Sequence, residues 1–272
     1  MEERTVNEQT IKIIRSSINR IPYSNCIKSF DDIMHGFEQG GIDLLSGNNP
    51  VVLVERKKDF AQLYYFMDRA GDTPLDAEWR KIKEKAAGYD PLYADITVRG
   101  DFEYKGSVFE KLGLKLFRVY LRTSCVNNKK KFREFQKTGS TFANIDDLGR
   151  IQALIRKMPN FDVMSDHLPD DVELKQLLLN RNVMISEING CIAGVHIFED
   201  VGAKSYGRLT CIAEEFQDKI IAYSLVADYR NMHQDTKIFY AWVDQENKRA
   251  KRFQTALFGL KEDGVKNYIF KL

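Results

Sequence analysis

Residues 238–264 leave the chain little conformational choice. An apolar run, Ile238-Phe239-Tyr240-Ala241-Trp242-Val243, stops at Asp244, a residue suited to capping. A basic amphipathic stretch from Asn247 through Phe253 to Phe258 follows, and Gly259 closes it. Such an order predicts a buried strand, a helix and a glycine exit. A similar exit, Phe109-Glu110-Lys111-Leu112-Gly113-Leu114-Lys115, lies far upstream. At 272 residues, against a usual domain size of roughly 100–200, two domains are expected.

With 43% hydrophobic and 29% charged residues the chain is an ordinary folded protein, neither disordered nor fibrous. Its start, Met-Glu-Glu-Arg-Thr, has no apolar leader, and runs such as Val51-Val52-Leu53-Val54 are too short to span a bilayer. A cytoplasmic protein without a membrane partner is expected. Cys26, Cys125, Cys191 and Cys211 show no Cys-x-x-Cys pairing, and His35, His167, His196 and His233 lack metal-ligand spacing, so neither disulfides nor a metal are expected. A net charge of +2 gives no nucleic-acid footprint. The basic run Lys129-Lys130-Lys131-Phe132-Arg133 reads as part of a solvated linker, residues 127–139.

Each half opens the same way. In residues 1–126, helices are expected over Asn7–Ile21 and Ser29–Phe37, then a strand pair, Ile42–Ser46 and Pro50–Glu55, across Gly47-Asn48-Asn49. The aromatic stretch Phe60–Met67 and the charged Pro74–Ala87 are expected as helices, and Asp95–Val98 and Leu116–Arg122 as strands. In residues 140–272, Asn144 opens one helix and Pro169-Asp170-Asp171 a second. Asn189-Gly190 then joins Asn182–Ile188 to Cys191–Phe198, the strongest short hairpin signal. The strand Gly207–Ala213 and the helix Ile221–Met232 complete the order, and Phe253 and Leu257 are expected to pack on Trp242 and Val243.

The strand, the helix opening Asn247-Lys248-Arg249-Ala250 and the glycine exit resemble the carboxy-terminal motif of GNAT superfamily N-acyltransferases, and Glu110-Lys111-Leu112-Gly113 resembles its helix exit. The resemblance covers residues 140–272 and, more faintly, 1–125. It implies an α/β (α+β) protein of two tandem GNAT-like domains, each a mixed, mostly antiparallel twisted sheet flanked by helices. The first copy, with no Gly-rich phosphate loop, is degenerate.

In that family a loop of Arg/Gln-x-x-Gly-x-Gly/Ala holds the coenzyme A diphosphate on backbone N–H groups at a helix N-terminus. Ile212 and Ala213 would end the strand, and Gln217-Asp218-Lys219-Ile220-Ile221-Ala222 would be the loop. Gln217 and Ala222 match; Ile220 replaces the first Gly, and Asp218 adds a negative charge. The implied donor-binding residues are Ile212, Ala213, Gln217, Lys219, Ala222 and Asn247, the last equally suited to capping its helix. The departure admits acetyl-coenzyme A or another acyl-thioester bound weakly, a carrier-protein pantetheine, or an inactive site. Where the family carries an acidic Tyr, this chain has Gln254. Candidates for the base are Glu215, His196 and Tyr206, with Glu214 beside them. The implied reaction moves an acyl group from coenzyme A, or from the pantetheine of an acyl carrier protein, to a small-molecule or peptide amine. The alternative is a non-catalytic binding or regulatory protein that keeps the fold.

Overall fold

The structure is a computed structural model that describes residues 6–68, 74–129, 131–132, 140–157, 168–217 and 220–272. It divides into two compact units, Met1–Tyr120 with Gly264–Leu272, and Leu121–Asp263. The first contains α1 (Glu8–Ser17), α2 (Phe30–Glu38), β1 (Ile42–Ser46), β2 (Val51–Arg56), β3 (Ala61–Phe66), α3 (Asp76–Ala86), β4 (Leu92–Arg99), α4 (Val108–Leu112) and the start of β5 (Lys115–Val126). Next in the chain come β6 (Thr141–Phe142), α5 (Leu148–Arg156), α6 (Asp171–Leu179), β7 (Val183–Ile188), β8 (Cys191–Val201), β9 (Lys204–Ile212), α7 (Ile221–Met232), β10 (Ile238–Asp244), α8 (Lys248–Phe258) and β11 (Lys261–Lys271). From α1 to β5 and again from α5 to β11 the order is helix, helix, three strands, helix, strand, helix, strand.

In the first unit the strands lie in the order β1-β2-β3-β4-β11, and in the second β5-β10-β9-β8-β7-β6. Among the described pairings β3–β4 and β9–β10 are parallel. The others are antiparallel, giving the expected mixed, mostly antiparallel sheets. Alternation along each strand sends side chains to two faces, and both faces are covered. In β2, Val51 and Leu53 join α1 and α2 through Ile13, Ile14 and Ile33, while Val52 and Val54 join α3 and α4 through Trp79, Ile82 and Phe109. In the second unit Val195, Ile197 and Leu209 face α5 and α6, whereas Ala193, Phe198 and Phe239 face Leu225 and Tyr229 of α7.

Four expectations need correction. The linear division at 126 and 140 differs from the compact units, because β11 pairs with β4 from Val265↔Arg99 to Lys271↔Tyr93 and so belongs largely to the first. Within the supposed solvated linker, the Asn127 side chain donates to the carbonyls of His233, Gln234 and Thr236, and the Asn231 side-chain amide accepts from Phe132 N–H and donates to the Phe132 carbonyl. Lys130 and Arg133 lie outside the described residues. The stretch Phe60–Met67 contains β3 and not a helix: all six strand residues are buried, and a strand apolar on both faces mimics a helical period. Lastly, Leu257 is 43% exposed, and α8 instead buries Phe258, whose ring lies 5.3 Å from that of Phe253. Gly259 and Gly113 end α8 and α4 in the left-handed region, at φ 68 and φ 80, where a side chain would be strained.

Candidate functional site

The parallel pair β9–β10 keeps register over only four positions, Lys204↔Ile238 to Gly207↔Ala241, although β9 runs on to Ile212 and β10 to Asp244. The cause lies on the other side of β9. Against β8 the register jumps from Ile197↔Leu209 to Phe198↔Gly207, which makes Arg208 an extra residue. Such a bulge bends the strand that carries it. Arg208 is buried, and Glu173 holds it through two bonds at 2.6 and 3.0 Å while Glu199 accepts a third at 3.0 Å. The two strands therefore form a fork that starts at Gly207 and Ala241, the second small residue set beside the small first.

At the mouth of the fork β9 gives way to a 3-10 turn, Glu214–Phe216, and then to the N-terminus of α7. Ile220 stands in the capping position and has no side-chain acceptor, which leaves α7 uncapped by it. Packing fixes this helix end against the sheet: a Cβ added to Gly194 would lie 2.7 Å from Ile212, 2.8 Å from Ile221 and 3.0 Å from Leu225, so only glycine admits that approach. Arg249, in the first turn of α8, reaches the same loop, its guanidinium 3.4 Å from the side-chain oxygen of Gln217 and 3.5 Å from its carbonyl.

The candidates drawn from the sequence are placed as follows. Ala213 is buried, its N–H donating to the Ala193 carbonyl, Ile212 is half-buried at the end of β9, and Ala222 is half-buried in the first turn of α7. Gln217 is exposed at the loop, and Lys219, like Asp218, lies outside the described residues. Asn247 caps α8, its side-chain oxygen accepting from Ala250 N–H at 2.9 Å. Glu214 and Glu215 are exposed at the mouth of the fork. Gln254, at the position of the family's Tyr, accepts a bond from the Thr123 hydroxyl at 2.8 Å. Tyr206 stacks on Tyr240, with ring centroids 5.0 Å apart and planes 6° from parallel.

His196 is corrected as a base. Its ring is 3% exposed, packs at 4.6 Å on Tyr229, and places Nδ1 2.9 Å from the Thr210 hydroxyl, while Nε2 has no partner among the described residues. Burial, helped by nearby His233, depresses its pKa to about 3, so the ring stays neutral at pH 7 and is too weak a base to take a second proton. The reading of the sequence missed Arg249. Its signal was two bases, Lys248 and Arg249, in the first turn of a helix, where the dipole favours acids.

The first unit has the same fork, and it is filled. β3 and β4 pair only at Ala61↔Leu92 and Gln62↔Tyr93, although β3 runs to Phe66 and β4 to Arg99. Into the gap comes the segment between α1 and α2. Ser24 makes an antiparallel bridge to Phe66, and Met67 N–H donates to the Tyr23 carbonyl at 2.8 Å. Buried Asn25 spans the fork: its amide nitrogen donates to the carbonyls of Leu63 and Asp95, both at 3.0 Å, and its oxygen accepts from Tyr65 N–H at 2.8 Å. Gln62 and Asn267 hold the Asp95 carboxylate from either side at 2.7 and 2.8 Å.

Comparison with solved structures identifies this architecture. A tandem GNAT protein from the clavulanic acid biosynthesis pathway, solved without acetyl-coenzyme A, superposes with a TM-score of 0.59 at 11% identity, covering 100% of this chain and 95% of that one. A GCN5-related N-acetyltransferase from Sphaerobacter thermophilus gives 0.59 at 9% identity over 90% and 86%. A conserved protein from Enterococcus faecalis V583 gives 0.58 at 11% identity over 97% and 69%. No protein-family model and no curated protein matches the sequence. The likeness therefore shows the fold, which is that of tandem GNAT proteins.

Proposed function

We propose that the second unit transfers an acyl group from a thioester to an amine. The observation that carries this reading is the fork above Gly207 and Ala241, opened by the bulge at Arg208, with the α7 N-terminus at its mouth. The thioester arm lies between β9 and β10, and the diphosphate of coenzyme A meets the first amides of α7, near Ile221 and Ala222, an anion site by virtue of unpaired N–H donors and the helix dipole. Gln217 and Arg249 border that end, and Arg249 supplies a positive charge there. Ile212, Ala213 and Asn247 shape the walls. A carrier-protein pantetheine fits the same fork without needing the diphosphate end.

In the transfer the amine nitrogen attacks the thioester carbonyl carbon, a C–N bond forms and the C–S bond breaks. The amine loses one proton and the thiolate gains one. Glu215, exposed where β9 ends, is the group best placed among the candidates to receive the first, and solvent delivers the second because Gln254 has no acidic proton to give. Rate enhancement rests mainly on positioning and on polarising the carbonyl. A second reading, a binding protein that has lost turnover, is favoured by Ile220 in the loop and by Gln254 tied to Thr123.

Titration calorimetry with acetyl-coenzyme A and coenzyme A, joined to a thiol-release assay with a panel of amines, separates the two. The expected result is binding that Arg249→Ala weakens by about tenfold or more, as loss of a charge-assisted contact does. Turnover should fall roughly 100-fold or more in Glu215→Gln. Binding without thiol release for any amine leaves the second reading, and no binding to coenzyme A or to free pantetheine overturns both.

A further inference from the structure

One residue below the fork, a row of side chains crosses three strands on a single face of the second unit. Glu199 of β8 is the register partner of Tyr206 in β9, which is the register partner of Tyr240 in β10. Directly opposed residues project to the same face, so the carboxylate and both rings lie side by side. The two rings are nearly coplanar in direction and stacked at 5.0 Å, yet each residue is only half-buried, and the Glu199 side chain is 38% exposed. An aromatic pair set in the middle of a sheet is ordinarily covered by a helix; this one keeps part of its surface exposed.

The charges around it are unbalanced in one direction. Arg208 is shared between Glu173 and Glu199, and Arg122 is matched by Asp263 at 2.8 Å. Among the described residues two carboxylates, Glu173 and Glu199, thus share the one guanidinium of Arg208, which leaves negative charge beside the π faces. A cation over a tyrosine face, with a carboxylate at its edge, is a favourable pair that becomes stronger as water is excluded. The row stands one residue from Gly207 and Ala241, where the thioester carbonyl would lie.

We propose that Tyr206, Tyr240 and Glu199 form a cation seat for the acceptor, and that the acceptor is an alkylamine held there as its ammonium form next to the thioester. The assignment rests on the acyl-transfer reading for the word acceptor, but the seat itself is a property of the unacylated protein and can be measured with no thioester present.

The test uses the full chain with tyrosine rings labelled for NMR, Tyr206→Phe and Tyr240→Phe giving the assignments. Propylammonium is titrated against 1-propanol, its uncharged counterpart. Saturable shifts of the Tyr206 and Tyr240 ring signals with propylammonium, and none at equal 1-propanol, are expected. Tyr240→Leu should weaken the ammonium roughly 2–30-fold, the range of a cation–π contact, while Tyr240→Phe, which keeps the face, should stay within about threefold. Glu199→Gln should weaken it without altering the ring stack. Equal responses to both probes, or ring signals that ignore both, overturn the proposal. If the cation binds here but calorimetry finds no coenzyme A or pantetheine binding, the seat stands and the acyl-transfer reading falls; the reverse pattern removes the seat alone.

Discussion

His196 makes the acid stability of the second unit a measurable consequence of its burial. An ordinary imidazole titrates near 6.5, and in the fold the value is about 3. Between those values the unfolded chain binds a proton that the native state refuses, so stability is fully present above pH 6.5 and falls as pH drops toward 3. The slope is about 1.4 kcal/mol per pH unit once well inside that window. Integrated from pH 7 to pH 5, the loss attributable to this one ring is about 2 kcal/mol. The chain has two tryptophans, Trp79 and Trp242, so in a Trp79→Phe background urea unfolding followed by fluorescence reports the second unit. Comparison with His196→Phe in the same background cancels the other titrations, because phenylalanine cannot charge. The parent should lose about 2 kcal/mol more than the variant between the two pH values. Parallel losses, within about 0.5 kcal/mol, would mean that the ring exchanges protons freely and is not enclosed by Tyr229 and Thr210 as described.

Two further outcomes follow from packing. Phe258→Ala should destabilise the second unit by about 3–5 kcal/mol and Leu257→Ala by less than about 0.5 kcal/mol, measured by denaturant unfolding, since only the former is buried. Asn25→Ala should cost the first unit about 1–3 kcal/mol, because two carbonyls and one N–H lose their buried partner, and should speed exchange of the Tyr65 amide; unchanged exchange would contradict the bridging role.

The parts of the fold that sequence made legible are those where local chemistry and tertiary structure agree. Asn189-Gly190 turns the β7–β8 hairpin with both residues at positive φ, and Ser29, Asp170 and Asn247 cap the helices that they precede. β3 was misread because burial on both faces erases the period that distinguishes strand from helix. The candidate site was legible only as far as it is linear. The strand–turn–helix from β9 to α7 could be read, as could the replacement of a glycine by Ile220. The bulge at Arg208 could not, since its partners Glu173 and Glu199 come from α6 and β8, and neither could the Tyr206–Tyr240 stack, which depends on register between β9 and β10. Burial of His196 was hidden for the same reason: α7 covers it from a distant part of the sequence.

The pairing of β11 with β4 sets an order in time. Residues 265–271 are translated after the entire second unit, yet they supply the outer neighbour of β4 along seven consecutive positions. A nascent first unit can therefore assemble β1 to β4 early and must then wait, with one edge of β4 unsatisfied, while more than half of the polypeptide is still being made. Exposed strand edges are where chains misassociate, and long-range closure is slow. The interval before β11 arrives is the period in which misassociation is expected to be easiest, and a truncation that removes residues after Asp263 should harm the half of the chain furthest from it in sequence.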